Sequence, residues 1–340
     1  MNDLLIGLLS ALVATNPPAA VSNLVQQKTG LSVPITNTND PVERAYQKLM
    51  DDDDAAQAEV DEWILARNTS GRTETDVEKA AFQARIRRRF APVVKGYDDF
   101  LTVHPNHGRA RIAYGSFLND IGDETAAEAQ WNKAREVEPA NPAVWNNLAN
   151  FYGHNGGVKK SFEYYAKAIA LAPEEPVYYQ NMATTVFLFR QDAMEFYGIT
   201  EQEVFAKAMG LYRQALALDP ENFSLAAELA QTYYGIKPPK FDDTNATRQA
   251  ELKLGDEAIA AWRTAQKLAR NDTERDGVYI HYARWQINVA RFEDAHRSLA
   301  SVTNEFWAGS KKTLSKKLAE REAAARGTNA PAKSPEPRSP

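Results

Sequence analysis

The chain has 340 residues, of which 44% are hydrophobic and 25% charged, the balance of an ordinary globular protein that can build a core without staples. Forty basic side chains face 45 acidic ones, so the formal net charge is only -5, which names no partner and lacks the basic surplus of a nucleic-acid binder. There is no cysteine, which excludes disulfides, thiolate nucleophiles and cysteine-ligated zinc and leaves cytosol and periplasm equally open.

The first apolar run, from Leu4 to Ala14, is too short to span a bilayer as a helix, and no stable membrane span is expected. It has the apolar core of an export signal but lacks preceding positive charge and carries Asp3 instead. It also fits an amphipathic helix with Leu4, Leu5, Leu8, Leu9 and Leu12 on one stripe. Both readings stay open, with the cytoplasm slightly favoured over export. Asn16-Pro17-Pro18 then opens a helix that Gly30 ends. Asp40-Pro41 opens another that carries Val42, Tyr46 and Leu49. The run Asp51 to Asp54 suits the start of a further helix rather than its middle, with Val60, Trp63 and Ile64 buried behind it. Thr75 and Glu78 read as a capping box for the next. Residues 1–73 are therefore expected to form an N-terminal helical cap.

From about residue 74 the chain repeats. Pro105, Pro139 and Pro173 are spaced 34 residues apart, and Trp131 and Tyr165, Gly122 and Gly156, Ala134 and Ala168, and Asn147 and Asn181 share the interval. Several residue types with one period indicate a repeated supersecondary unit. The clearest runs from Pro142 to Glu175. Trp145, Leu148, Ala149 and Tyr152 share one helix face, Gly156 and Gly157 permit a tight turn, and Phe162, Tyr165, Ala168 and Ile169 line a second helix that Pro173 terminates.

This segment resembles a tetratricopeptide repeat, with its aromatic, Leu-Ala, Tyr, Ala, aromatic and Pro in order. The unit at 108–141 fits with Tyr114, Gly115, Leu118, Gly122, Ala127, Trp131, Ala134 and Pro139, although Arg111 replaces the leading aromatic. A third begins with Tyr179, Met182 and Ala183 and resumes at Ala208, Tyr212 and Ala215, after an insertion at 190–202. A fourth carries Leu229, Ala230, Tyr233, Ala258, Trp262 and Ala265 around an insertion at 237–254, and a fifth carries Tyr282, Ala283, Ala295 and Leu299. Val77, Ala81, Val93, Tyr97 and Phe100 suggest a degenerate first unit. The resemblance implies an all-α, right-handed solenoid of five to six helix pairs over 74–302, with a C-terminal capping helix at 303–326 and a disordered tail at 327–340. The repeat core is expected to contain Trp131, Trp145, Leu148, Tyr152, Tyr165, Ala168, Pro173, Tyr212 and Trp262, and loss of Trp145 to cost roughly 3–5 kcal/mol.

Chemistry-bearing patterns are sparse. There is no Gly-rich phosphate loop and no G-x-S-x-G elbow. His104 and His107 are split by Pro105, which breaks the helix that would align them on a metal, and neither a metal nor another cofactor is expected. Neighbouring carboxylates at Asp98-Asp99 and Asp242-Asp243 do not face one another and make no acid–base dyad. Arg85, Arg87, Arg88 and Arg89 read as a solvated or salt-bridged helix face rather than a site for nucleic acid or anionic lipid. The chain is not expected to be an enzyme.

The polar set that stands out is Asn146, Asn147 and Asn150, with Asn147 repeated as Asn181. The resemblance implies that an asparagine just before the repeat's Leu lines a concave groove and holds a peptide backbone, with Asn146, Asn150, Gln180 and Thr184 beside it. An amide offers donors and an acceptor without reading sequence. Ala113 and Glu228 interrupt the ladder, and Ile112, Ser116 and Asn146 depart from the dicarboxylate-clamp pattern. The expected function is a scaffold that binds a peptide or helix of another protein. The alternatives are an exported envelope protein of secretion or assembly, and an accessory or regulatory part of an enzyme.

Overall fold

The computed structural model describes residues 40–69 and 74–328. The expectations for the N-terminal run, the helix after Pro17 and the tail beyond residue 328 lie outside them; Gly327 and Thr328, expected in the tail, belong to the last helix instead. Among the described residues there are no strands. The chain divides into two compact units, residues 1–181 and 182–340.

The first unit opens with two long helices, α1 (Pro41–Thr69) and α2 (Asp76–Val103). Two expectations are corrected here. The four aspartates do not start a new helix, because α1 runs straight through them. Asp53 is buried, bonded by Gln57 one turn on at 2.7 Å and by the Tyr97 hydroxyl at 2.5 Å. That tertiary partner overrides the poor interior propensity of aspartate. The degenerate first repeat is likewise no helix pair: α2 is one helix of 28 residues with Pro92 inside it, and Val77 is exposed. The Thr75–Glu78 capping box does start α2, each partner satisfying the other's backbone N–H.

Helix pairs begin at α3 (Gly108–Asp120) with α4 (Glu124–Val137), followed by α5 (Pro142–His154) with α6 (Val158–Leu171). Gly122 and Gly156 take φ of +85° and +82° in the two intervening turns, which only glycine adopts freely. Asp123 and Asn141 cap α4 and α5, and Pro142 occupies the first turn of α5. Trp131, Leu148, Tyr165 and Ala168 are sealed in the core, as are Ala149 and the unforeseen Phe151. Trp131 lies so close to Gly115 that a Cβ there would sit 2.5 Å from its indole nitrogen. That small residue is what lets α3 and α4 approach.

Two expected core aromatics sit elsewhere. Trp145 and Tyr152 are half-buried, and Pro173 is exposed in the turn after α6. The Trp145 indole N–H donates to the Pro139 carbonyl at 2.8 Å. One repeat earlier, the Arg111 Nε–H donates to the Pro105 carbonyl at the same distance. Arg111 thus replaces the aromatic but keeps its hydrogen bond, and its guanidinium reaches Gln130 on α4 at 2.7 Å.

α7 (Pro176–Leu188) follows, then α8 (Arg190–Tyr197) and α9 (Glu201–Leu218). Most of the first insertion is therefore the short helix α8, ended by Gly198 at φ +66°. In the second unit, α10 (Phe223–Thr232) pairs with α11 (Thr244–Leu268), and α12 (Asp272–Asn288) with α13 (Phe292–Ser301). The second insertion splits into an irregular stretch and the first turns of α11. The two insertions touch: Lys237 pairs with Glu201 at 2.8 Å, and its backbone N–H donates to Gln202 at 2.8 Å. Tyr212 and Trp262 are buried. Trp262 stacks on His281 with centroids 3.9 Å apart, and burial pushes that imidazole down to about 3.

α14 (Ala308–Thr328) closes the second unit by burying Leu314 and Leu318. Its approach is held by Asp276 of α12, a buried carboxylate that accepts the backbone N–H groups of Thr303 and Asn304 at 2.6 and 2.7 Å.

Candidate functional site

The expected site residues fall into two groups. Five of them, Asn146, Asn147, Asn150, Gln180 and Asn181, lie in the first unit, whereas Thr184 lies in the second and shares a 2.8 Å hydrogen bond with the Tyr212 hydroxyl.

Within the first unit the amides line up across successive first helices. The Asn181 side chain on α7 donates to the Asn146 carbonyl oxygen at 3.0 Å. Asn146 donates in turn to Asn147 at 3.4 Å, and Asn147 donates to the Ser116 hydroxyl on α3 at 3.2 Å. Ser116 passes the chain on to the Ile112 carbonyl at 3.2 Å. The result is one polar seam from α3 through α5 to α7. Ser116, like Asn146 a position that departs from the dicarboxylate-clamp pattern, is its rung on α3.

The seam differs from an open ladder. Asn146 and Asn147 are 1% and 4% exposed. They are bonded to each other and to their neighbours rather than held out to solvent. Buried amides must be paired, and these pair with one another and with Ser116. Asn150, Gln180 and Asn181 are half-buried. Asn150 accepts a hydrogen bond from the Tyr165 hydroxyl. Its carbonyl oxygen is thereby engaged, which leaves its amide N–H groups as the donors it can offer.

A second feature escaped the sequence reading. Trp145, Tyr152 and Tyr164 form an edge-to-face array, with centroids 5.2 Å apart for Trp145 and Tyr164 and 5.7 Å for Tyr152 and Tyr164. Arg135, Lys160 and Lys167 lie over these rings. The signal was present as Lys160, Tyr164 and Lys167 at steps of four and three on α6, but Arg135 comes from α4 and no local pattern links it.

The Arg85–Arg89 run is dispersed by its surroundings. Arg85 stacks on Trp63, 3.6 Å from the ring centroid, and Arg89 pairs with Glu59 at 2.6 Å. His107 caps α3 by accepting the Ala110 N–H at 3.1 Å, and burial lowers its pKa. No group of acidic residues and histidines among the described residues could hold a metal ion. No helix among them is long and apolar enough to cross a membrane.

No family model matches the chain, and no curated protein matches its sequence. Solved structures that resemble it include PilW, described as a widely conserved type IV pilus biogenesis factor, at 14% identity and a TM-score of 0.49, with 71% of this chain and 99% of that one covered. PilF of Pseudomonas aeruginosa is similar at 13% identity and 0.48, covering 82% and 99%. YrrB, described as a TPR protein with an unusual peptide-binding site, is similar at 12% and 0.46, covering 68% and 99%. With these scores below 0.5, the assignment rests on the chain's own features: the 34-residue spacing, the glycine turns, and the buried Trp131, Leu148, Tyr165 and Ala168 in antiparallel helix pairs. Those features make this an all-α chain with the tetratricopeptide-repeat fold.

Proposed function

We propose that the protein is a binding scaffold rather than an enzyme, and that the amide seam of the first unit holds the backbone of a peptide segment from another protein. The observation that supports this reading is the continuity of Ser116, Asn147, Asn146 and Asn181 across three successive first helices. Helix pairs cannot bury their apolar faces alone, so stacking them creates a shared surface as a by-product. Polar residues in a seam along that surface, with Asn150, Gln180 and Asn181 at its half-buried edge, suit a ligand whose own groups are alternating donors and acceptors. Because Asn146 and Asn147 are already paired, a bound peptide exchanges bonds with them rather than filling open ones. That exchange keeps the net gain per contact near the usual ~0.5–1.5 kcal/mol.

The test is selection of twelve-residue peptides from a random displayed library on the full chain, followed by fluorescence anisotropy with Asn147→Ala/Asn181→Ala. Selected peptides should bind native protein and lose at least tenfold in the variant. Urea unfolding must run alongside, because Asn147 is buried and its loss removes the bond to Ser116. Peptides that bind the folded variant as tightly as the native chain would refute the seam as the site.

A further inference from the structure

The array of Arg135, Lys160 and Lys167 over Trp145, Tyr152 and Tyr164 is a surface of its own, built from α4, α5 and α6 and separate from the amide seam. Lys160 Nζ sits 3.7 Å from the Tyr152 centroid and 5.4 Å from that of Tyr164. Arg135 lies 5.8 Å from the Trp145 centroid and 5.9 Å from that of Tyr164, and donates to the Tyr164 hydroxyl at 2.7 Å. Lys167 Nζ is 6.0 Å from the Trp145 centroid. In order of contact the cations run Lys160, Arg135, Lys167, with a ring between each pair.

Three properties set this cluster apart. First, none of the three cations forms an ion pair with a carboxylate among the described residues, in a chain with five more acids than bases. Glu163, the one carboxylate on α6, pairs with neither lysine, and Glu128 instead accepts the Tyr152 hydroxyl at 2.6 Å. Second, ring faces hold the cations in place, so less side-chain entropy is lost when an anion arrives. Third, both lysines are exposed and the three rings are half-buried, which offers apolar surface between the charges.

We propose that this face docks an acidic peptide segment of a partner protein, with carboxylates on the three cations and small or apolar side chains on the rings. Lys160 and Lys167 are seven residues apart on one helix, a rise of about 10.5 Å. A polyproline-II segment returns to the same face every three residues, a rise of about 9.3 Å, so Glu at every third position keeps one face and matches the two lysines. A nucleic-acid backbone fits less well, because three cations neutralise few phosphates and the chain as a whole repels them.

The test uses the full chain and a labelled ten-residue peptide with Glu at every third position separated by Ser and Gly, read by anisotropy at low salt. A Gln-for-Glu peptide and a ten-nucleotide oligothymidylate are the comparisons. The acidic peptide should bind, weaken with salt, and lose about tenfold in Arg135→Gln/Lys160→Gln/Lys167→Gln. Lys160→Gln/Lys167→Gln, which touches only exposed lysines and leaves the Arg135–Tyr164 bond, should lose about threefold. Lys312→Gln/Lys316→Gln/Arg321→Gln on α14 should change nothing. The assignment is overturned if the Gln peptide binds equally, if the oligonucleotide binds more tightly, or if the triple variant keeps full affinity. It is also overturned if sedimentation shows a dimer that the triple variant dissolves, since the occupant is then a second copy. Loss of peptide capture at the amide seam leaves these outcomes untouched.

Discussion

Trp131 and Trp145 look interchangeable in the sequence, yet the structure predicts very different costs for losing them. Trp131 is 4% exposed, packs against Gly115 and donates its indole N–H to the Ile112 carbonyl at 3.2 Å. Trp131→Ala removes a sealed aromatic side chain whose site is walled by helix backbone and collapses poorly, so the loss should fall at about 3–5 kcal/mol. Trp145 is half-buried, with one edge on Tyr164 and its N–H on the exposed Pro139 carbonyl. Part of its apolar area is already wet, and its hydrogen bond can pass to water. Trp145→Ala should therefore cost about 1–2 kcal/mol, below the value its place in the repeat motif suggests. Urea unfolding followed by far-UV circular dichroism measures both, provided the slopes with denaturant agree between variants. If Trp145→Ala proves as costly as Trp131→Ala, the burial argument fails and the motif position is the better guide.

Asp53 makes stability pH-dependent. Burial raises its carboxyl from 3.8 to about 6, against the smaller lowering effect of bonds from Tyr97 and Gln57. A folded-state pKa above the unfolded one means that the charged form is penalised in the folded state. Its contribution is therefore fully favourable below about pH 4 and is lost as pH rises through about 6. Asp53→Asn, which keeps an acceptor for Tyr97, should be the more stable protein at pH 7.5, and its advantage should shrink between pH 6 and 4.5. An advantage that stays constant with pH would sink the assignment. At the other end, Asp276→Ala removes an acceptor for two backbone N–H groups and should cost about 2–3 kcal/mol, concentrated where α14 joins α12. Amide hydrogen exchange should show protection lost around Thr303 to Leu318 and retained in α10. Uniform loss across the second unit would mean that Asp276 does more than hold the closing helix.

Local signals were legible directly from the residues. The 34-residue spacing, the glycines at 122 and 156, the Thr75–Glu78 box and the proline-marked helix ends act through neighbours a few bonds away, so each specifies its own turn or cap wherever it stands. Tertiary structure decided what depends on partners 29 to 44 residues distant. Asp53 stays inside a helix because Tyr97 meets it, Asn146 and Asn147 close on one another because α7 and α3 flank them, and Arg135 joins two lysines because α4 lies against α5 and α6. Burial is a property of the assembled surface, which is why the same indole is core at 131 and rim at 145.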